Sequence, residues 1–143
     1  MTLMDAQQFD EARERRRKLK ISIAILVVVV VTVLLWMNRY WPEKRVADNF
    51  FAALQKQDFE SAYRIYHPDT KKYPYNEFYQ DWGPGGEWGL VKTYSIYGVS
   101  GCPGGGSGVV VDVVVNSRAE HAQVWVEKAD KTLSTPPCSL EFR

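Results

Sequence analysis

Apolar positions along the chain follow three different rules in turn. Residues 21–37, "ISIAILVVVVVTVLLWM", contain no charge, proline or glycine, so a helix here has no polar face. Residues 47–82 then repeat a helical spacing. Ala47, Phe50, Phe51 and Leu54 fall at i, i+3, i+4 and i+7, as do Phe59, Ala62, Tyr63 and Tyr66, and again Tyr75, Phe78, Tyr79 and Trp82. Each set marks one face of an amphipathic helix. Asp58 is placed to cap the second helix, Pro68 to end it, and the "GPGG" at 83–86 to end the third. From Gly89 the character changes to valine, threonine and aromatics. The stretches 90–99, 108–116 and 119–127 read as strands, "NSR" at 116–118 as a tight hairpin, and "CSLEFR" at 138–143 as a fourth strand with Cys138, Leu140 and Phe142 on one face. The pattern predicts an α+β domain: three short helices, then a four-stranded antiparallel meander, the helices packed on one face of the sheet.

The wholly apolar run spans about 26 Å as a helix, slightly short of a hydrocarbon core of about 30 Å. Trp36, Tyr40 and Trp41 lengthen it with aromatics suited to the membrane interface, and Lys20 can snorkel at the other end. A buried core helix would show a polar side. A cleaved signal peptide would have a shorter apolar run and a small-x-small site, whereas "NRYWPEKR" follows here. The sequence therefore predicts a transmembrane helix over 21–41. Pro42 is placed to end it and to open the next helix in its first turn.

Charge then sets the expected orientation. The whole chain of 143 residues carries a net charge of only +1, so bulk charge does not suggest nucleic acid. The first twenty residues, however, hold Arg13, Arg15, Arg16, Arg17, Lys18 and Lys20 against Asp5, Asp10, Glu11 and Glu14. Beyond the span, Arg39, Lys44 and Arg45 are partly offset by Glu43. The positive-inside rule makes 1–20 a cytoplasmic juxtamembrane helix and 42–143 a single extracytoplasmic, periplasmic domain on the inner membrane of the cell.

That placement decides how "SGCPGGGSG" at 100–108 is read. A phosphate cradle needs glycines leading into a helix N-terminus, but these lead into a valine-rich strand. Cys102, Cys138, His67 and His121 are too scattered for a metal site, and there is no C-x-x-C. In a meander, the end of the first strand and the start of the fourth lie at one end of the sheet. Cys102 and Cys138 occupy those places, and a disulfide between them can persist outside the membrane. Two free buried cysteines are the alternative. Closure has to overcome about three strand spacings of roughly 4.8 Å each, so it requires a curved sheet or a loop folded across its edge.

The stretch "VADNFFAALQKQDFESAYRIYHPD" resembles the opening of the nuclear transport factor 2-like superfamily, and the resemblance extends over residues 46 to about 128. It implies a curved sheet wrapped against helices into a cone, often with a pocket. Members include isomerases, dehydratases and many binding or scaffolding domains, so fold alone does not select a function. Isomerase-like members place an acid/base carboxylate near tyrosines inside the cone. Asp69, Asp112, Tyr66 and Tyr94 are of suitable type, but none matches a family motif, and no catalytic residue is assigned. His67, beside Pro68, reads as a helix-end residue.

The segment at 73–88, "YPYNEFYQDWGPGGEW", has six aromatics in sixteen residues. Phe78, Tyr79 and Trp82 fit the helix template. Tyr73, Tyr75 and Trp88 exceed what one helix face buries, and either close the mouth of the cone or meet a partner. Tyr73, Tyr75, Tyr79, Trp82 and Trp88 are thus the candidate partner-binding residues. The expectation is a non-enzymatic accessory subunit with no cofactor or metal, docked on an integral membrane complex and on the lipid bilayer. A tethered binder of a small apolar ligand, or an isomerase-like domain, is the competing class.

Overall fold

The computed structural model describes residues 3–66 and 71–140, with side chains from residue 11 onward. The expected helix end at Pro68, the candidates His67 and Asp69, and Phe142 lie outside the described residues. Two compact units divide the chain, Met1–Arg39 and Tyr40–Arg143.

The first unit is one helix, α1 (Leu3–Met37). Its large apolar side chains from Leu19 to Met37 are all exposed, Val31 least at 47%. It is long and apolar enough to cross a membrane. Such a helix finds no apolar partner within its own unit.

The second unit is α+β. Its helices are α2 (Trp41–Gln55), α3 (Phe59–Tyr66) and α4 (Tyr75–Trp82), followed by β1 (Tyr94–Ser100), β2 (Gly108–Val115), β3 (His121–Glu127) and β4 (Leu133–Ser134). Pro42 stands in the first turn of α2, where its missing N–H costs nothing. Asp58 caps α3, its Oδ1 accepting the Ser61 N–H at 3.1 Å. The sheet is antiparallel in the order β1-β2-β3-β4. A bulge at Tyr97 shifts the register of β1 against β2 between Ile96 and Gly98.

The three helical templates all find the core. Ala47, Phe50, Phe51, Leu54, Ala62, Tyr66 and Phe78 pack against Val109, Val111, Val113 and Val115 of β2 and Ala122, Val124 and Val126 of β3. Phe50 is the hub. Its ring lies 5.2 Å from Phe51, 5.7 Å from Tyr66, 6.2 Å from Phe78 and 5.1 Å from Trp82, joining α2, α3 and α4 in mostly edge-on contacts. The β2–β3 turn places Asn116 and Ser117 at positive φ of 52° and 56°. Asn116 Oδ1 then accepts the N–H groups of Lys92 and Thr93 at 2.7 and 3.2 Å, fixing the entry to β1.

The fourth strand is not where its alternation put it. β4 is only Leu133–Ser134; residues 135–140 form no strand, and 141–143 lie outside the described residues. The segment after β4 instead crosses the sheet face opposite the helices. Gln123 of β3 points to that face, its Nε2 donating to the Leu140 carbonyl at 2.6 Å and its Oε1 accepting the Leu140 N–H at 3.3 Å. Cys138 thereby meets Cys102 in a disulfide, with Cα atoms 6.0 Å apart. The expected distance of three strand spacings does not have to be bridged, because Cys138 lies in the segment after β4 and not on a strand.

The glycine loop has a mechanical role on the same face. A Cβ on Gly106 would stand 2.9 Å from Cη2 of Trp125, and one on Gly108 would stand 2.6 Å from its Cε2. The missing side chains make room for the indole, which lies beside Val110 in the β2–β3 register. Loop and indole help to bury β2 on both faces: Val110 and Asp112 are as inaccessible as the core valines.

A half-buried ion pair ties the start of α2 to the β3–β4 turn. Lys131, at φ 60°, donates from Nζ to Glu43 Oε1 at 2.7 Å, and Glu43 is only 5% exposed. Burial pushes the Glu43 carboxyl up, but the Lys131 hydrogen bond, a backbone N–H and the charges of Lys131 and Lys128 outweigh it. The net position is below the ordinary value of 4.5.

Reducing the disulfide, which closes a 36-residue separation, is expected to cost about 4 kcal/mol of stability by the chain-entropy relation. The measurement is the shift in urea midpoint, and neither cysteine should take up iodoacetamide before reduction. The depressed Glu43 pKa contributes stability that is present above pH 4.5 and is lost as pH falls through the lower folded value. Glu43→Gln should therefore lower the thermal midpoint at neutral pH, and the gap to the parent should close below about pH 4.5.

Candidate functional site

The aromatic segment after residue 72 is built around a short helix with sharp ends. Pro74 holds the extended conformation before α4, and its carbonyl accepts the N–H groups of Glu77 and Phe78, both at 3.1 Å. Gly83 ends the helix with its N–H on the Tyr79 carbonyl at 2.9 Å. A Cβ there would collide with that same carbonyl.

Within this frame the five candidate partner-binding residues separate into two groups, divided by the fully buried Phe78. Tyr75 and Tyr79 are exposed at 39% and 42%. They form a ridge with two residues of α3. Phe59 meets Tyr79 edge-on at 5.1 Å, Tyr79 neighbours Tyr75 at 6.2 Å, and Tyr75 meets Tyr63 edge-on at 5.3 Å. The Tyr63 hydroxyl donates to the Tyr73 carbonyl at 2.9 Å, fixing the ridge to the segment before α4. Phe59 and Tyr63 were read from sequence as core positions only. Their place in the ridge follows from the antiparallel packing of two eight-residue helices, which the spacing within each helix does not carry.

Tyr73, Trp82 and Trp88 are partly buried and, with Tyr66, line a groove of about 830 Å³. Lys72, Asp81 and Glu87 stand on its helical side, and Ser134 and Thr135 on its sheet side. The Tyr73 hydroxyl donates to Asp81 Oδ2 at 2.6 Å. Burial, followed by that hydrogen bond and the Asp81 charge, holds the Tyr73 phenol far above its ordinary range. Tyr66 is also raised by burial, against a lowering hydrogen bond with Thr135. The Arg118 guanidinium lies 6.0 Å from the Trp88 ring, and its Nη1 donates to the Glu87 carbonyl at 2.8 Å. Of the two carboxylates lining the groove, Asp81 is therefore already engaged by a phenol.

The residues weighed for acid/base work do not converge. Tyr94 lies on the core side of β1 and donates to Asp48 Oδ1 at 2.9 Å; burial and this carboxylate push it up to about 12. Asp112 lies on the opposite face of the sheet, fully buried, with Oδ2 2.6 Å from Nδ1 of His121 and the Tyr97 ring 4.9 Å from the imidazole. Although it lies on the sheet face away from the helices, Asp112 is not open to solvent, because that face is covered. The pair was legible in principle, because a hairpin turning at 116–118 brings residues 112 and 121 to diagonal positions on one face. Among the described residues no three histidine, cysteine or carboxylate side chains gather as a metal site would require.

The four residues assigned to the membrane interface also divide. Lys20 and Trp36 are exposed on α1, with Arg39 5.3 Å from the Trp36 ring. Tyr40 packs partly on the core of the second unit, with Lys128 Nζ 5.8 Å from its ring. Trp41 is 54% exposed beneath the Arg45 guanidinium at 5.0 Å.

No known family model matches the chain, and neither does any curated protein or solved structure.

Ridge and core make different demands on stability. Phe78→Ala is expected to cost about 3–5 kcal/mol. Tyr75→Ala with Tyr79→Ala should cost about 1–2 kcal/mol, the scale of two aromatic edge contacts. Urea denaturation followed by tryptophan fluorescence distinguishes the two.

Proposed function

We propose that this chain is a single-pass membrane protein with a cytoplasmic N-terminus, whose extracytoplasmic domain docks as an accessory subunit on a larger integral membrane complex. The observation that carries this reading is the exposed pair Tyr75 and Tyr79, backed by the half-buried Phe59 and Tyr63, on a domain with its own buried core. Aromatic side chains give large contact area for little rotamer entropy, and they dominate binding energy at protein interfaces. The partner surface that fits is apolar with a polar rim. The apolar helix α1 supports the membrane placement, and a disulfide is compatible with an oxidising compartment. The basic flank at 13–20 supports the orientation. The nuclear transport factor 2-like resemblance belongs to the same proposal: three helices on one face of an antiparallel sheet are its support.

A tethered binder of a small apolar ligand is the second reading, and the groove between Tyr73, Trp82 and Trp88 favours it. The paired state of Asp81 counts against an isomerase-like use of that groove.

Extraction of membranes in mild detergent separates the two. Under the docking reading, the full chain co-elutes with a larger complex, Tyr75→Ala with Tyr79→Ala releases it as a folded monomer, and Trp88→Ala leaves it bound. A parent chain that runs alone, or a ridge variant that stays bound, overturns docking.

A further inference from the structure

The basic run before the apolar stretch is sorted by the helix into two unlike faces. At about 100° per residue, Arg13, Arg16, Arg17 and Lys20 recur at i, i+3, i+4 and i+7 along one side of α1. They line one shallow hollow there, bordered by Glu14. Glu14 is engaged by Lys18 at 2.9 Å, an exposed i,i+4 pair. Glu11, Arg15 and Lys18 fall away from the four-residue stripe. Within residues 11–20, Glu11 falls on the side of Arg15 and Lys18, and the four-cation stripe shares its hollow with a single carboxylate, Glu14, which Lys18 already engages.

The stripe covers about 10 Å of helix and ends at Lys20, one residue before the apolar run opens with Ile21. The polar layer on each side of a bilayer core is about 5–7 Å thick. With the apolar run in the membrane, Lys20 and Arg17 stand at headgroup depth, Arg16 at its outer limit, and Arg13 about one turn further out, on the aqueous side. Helical side chains lean toward the N-terminus, which carries the Lys20 ammonium outward to the phosphate level. A guanidinium holds two phosphate oxygens at once in a planar fork.

We propose that the Arg13–Arg16–Arg17–Lys20 face of α1 is a binding site for anionic phospholipid headgroups, which gathers such lipids around the chain in its leaflet. The proposal rests on the membrane-spanning reading of α1. Arginine forks supply selectivity for the phosphodiester. The net negative charge of the lipid supplies the preference over zwitterionic neighbours, because a zwitterion's own ammonium competes for its phosphate.

The test uses the full chain reconstituted in vesicles of equal parts phosphatidylcholine and phosphatidylglycerol. Spin-labelled phosphatidylglycerol and phosphatidylcholine report which lipid is held at the protein surface. The parent chain is expected to favour phosphatidylglycerol by about fivefold, the effect of one basic residue at an anionic surface, and the preference should shrink as salt is raised. The variant R13Q/R16Q/R17Q/K20Q should hold both lipids equally, while R15Q/K18Q keeps most of the preference. Equal affinity in the parent chain overturns the proposal; an acidic protein would then be the occupant to seek. A preference lost equally in both variants overturns the assignment to this face. Inorganic phosphate, added against chloride at equal ionic strength, should not displace the lipid; displacement would make the site one for free phosphate. Carbonate washing of the same vesicles separates the two layers of inference. A chain that washes off refutes the span, whereas a chain that resists and shows no preference refutes only the headgroup site.

Discussion

Everything in the second unit depends on the ring of Phe50. It is fully buried and touches aromatic side chains from all three helices, while its own helix lies on the sheet. α3 and α4 are eight residues each, too short to be stable alone. Their positions are set by what they bury, and most of what they bury reaches Phe50 through Tyr66, Phe78 and Trp82. The same cluster reaches β1 through Phe51, whose ring stacks on Tyr94 at 5.8 Å. Edge-on aromatic contacts also fix direction, so they orient these short helices as well as hold them.

The ridge and the groove are the two margins of that cluster. Phe78 fills the centre, so its neighbours on the helix must lie to either side of it. Tyr75 and Tyr79 emerge toward α3, and Trp82 turns toward the groove. One apolar stripe on a short helix is wider than the contact that buries it, and the surplus becomes surface. A surface made in this way is held in place because it is continuous with the core.

Much of this fold was legible because the signals were local and repeated. The three i, i+3, i+4, i+7 sets became three helices, and the valine-rich runs became β1, β2 and β3. The cap at Asp58 and the glycine end of α4 needed only their immediate neighbours. The fourth strand failed because the alternation of Cys138, Leu140 and Phe142 says nothing of what else can satisfy a backbone. The carboxamide of Gln123 takes both the N–H and the carbonyl of Leu140, as a neighbouring strand would have done. The second cover on the sheet was illegible for a similar reason: the fit of Gly106 and Gly108 to Trp125 spans two strands and a loop. In the candidate site, the aromatic residues were legible as a group. Their division between ridge and groove was not, since it depends on where α3 lies.

The bulge at Tyr97 sits on β1, one of the two outermost strands, and the other outermost strand is two residues long. A long, flat outermost strand invites the same strand from a second molecule to add to it. A register break within β1 twists one border of the sheet, and the brevity of β4 leaves little to copy at the other. The domain can therefore carry an exposed aromatic surface without offering its backbone for stacking. Under the docking proposal, its contacts with other molecules pass through side chains on the helices, where shape selects the partner, and the sheet borders offer little for self-assembly.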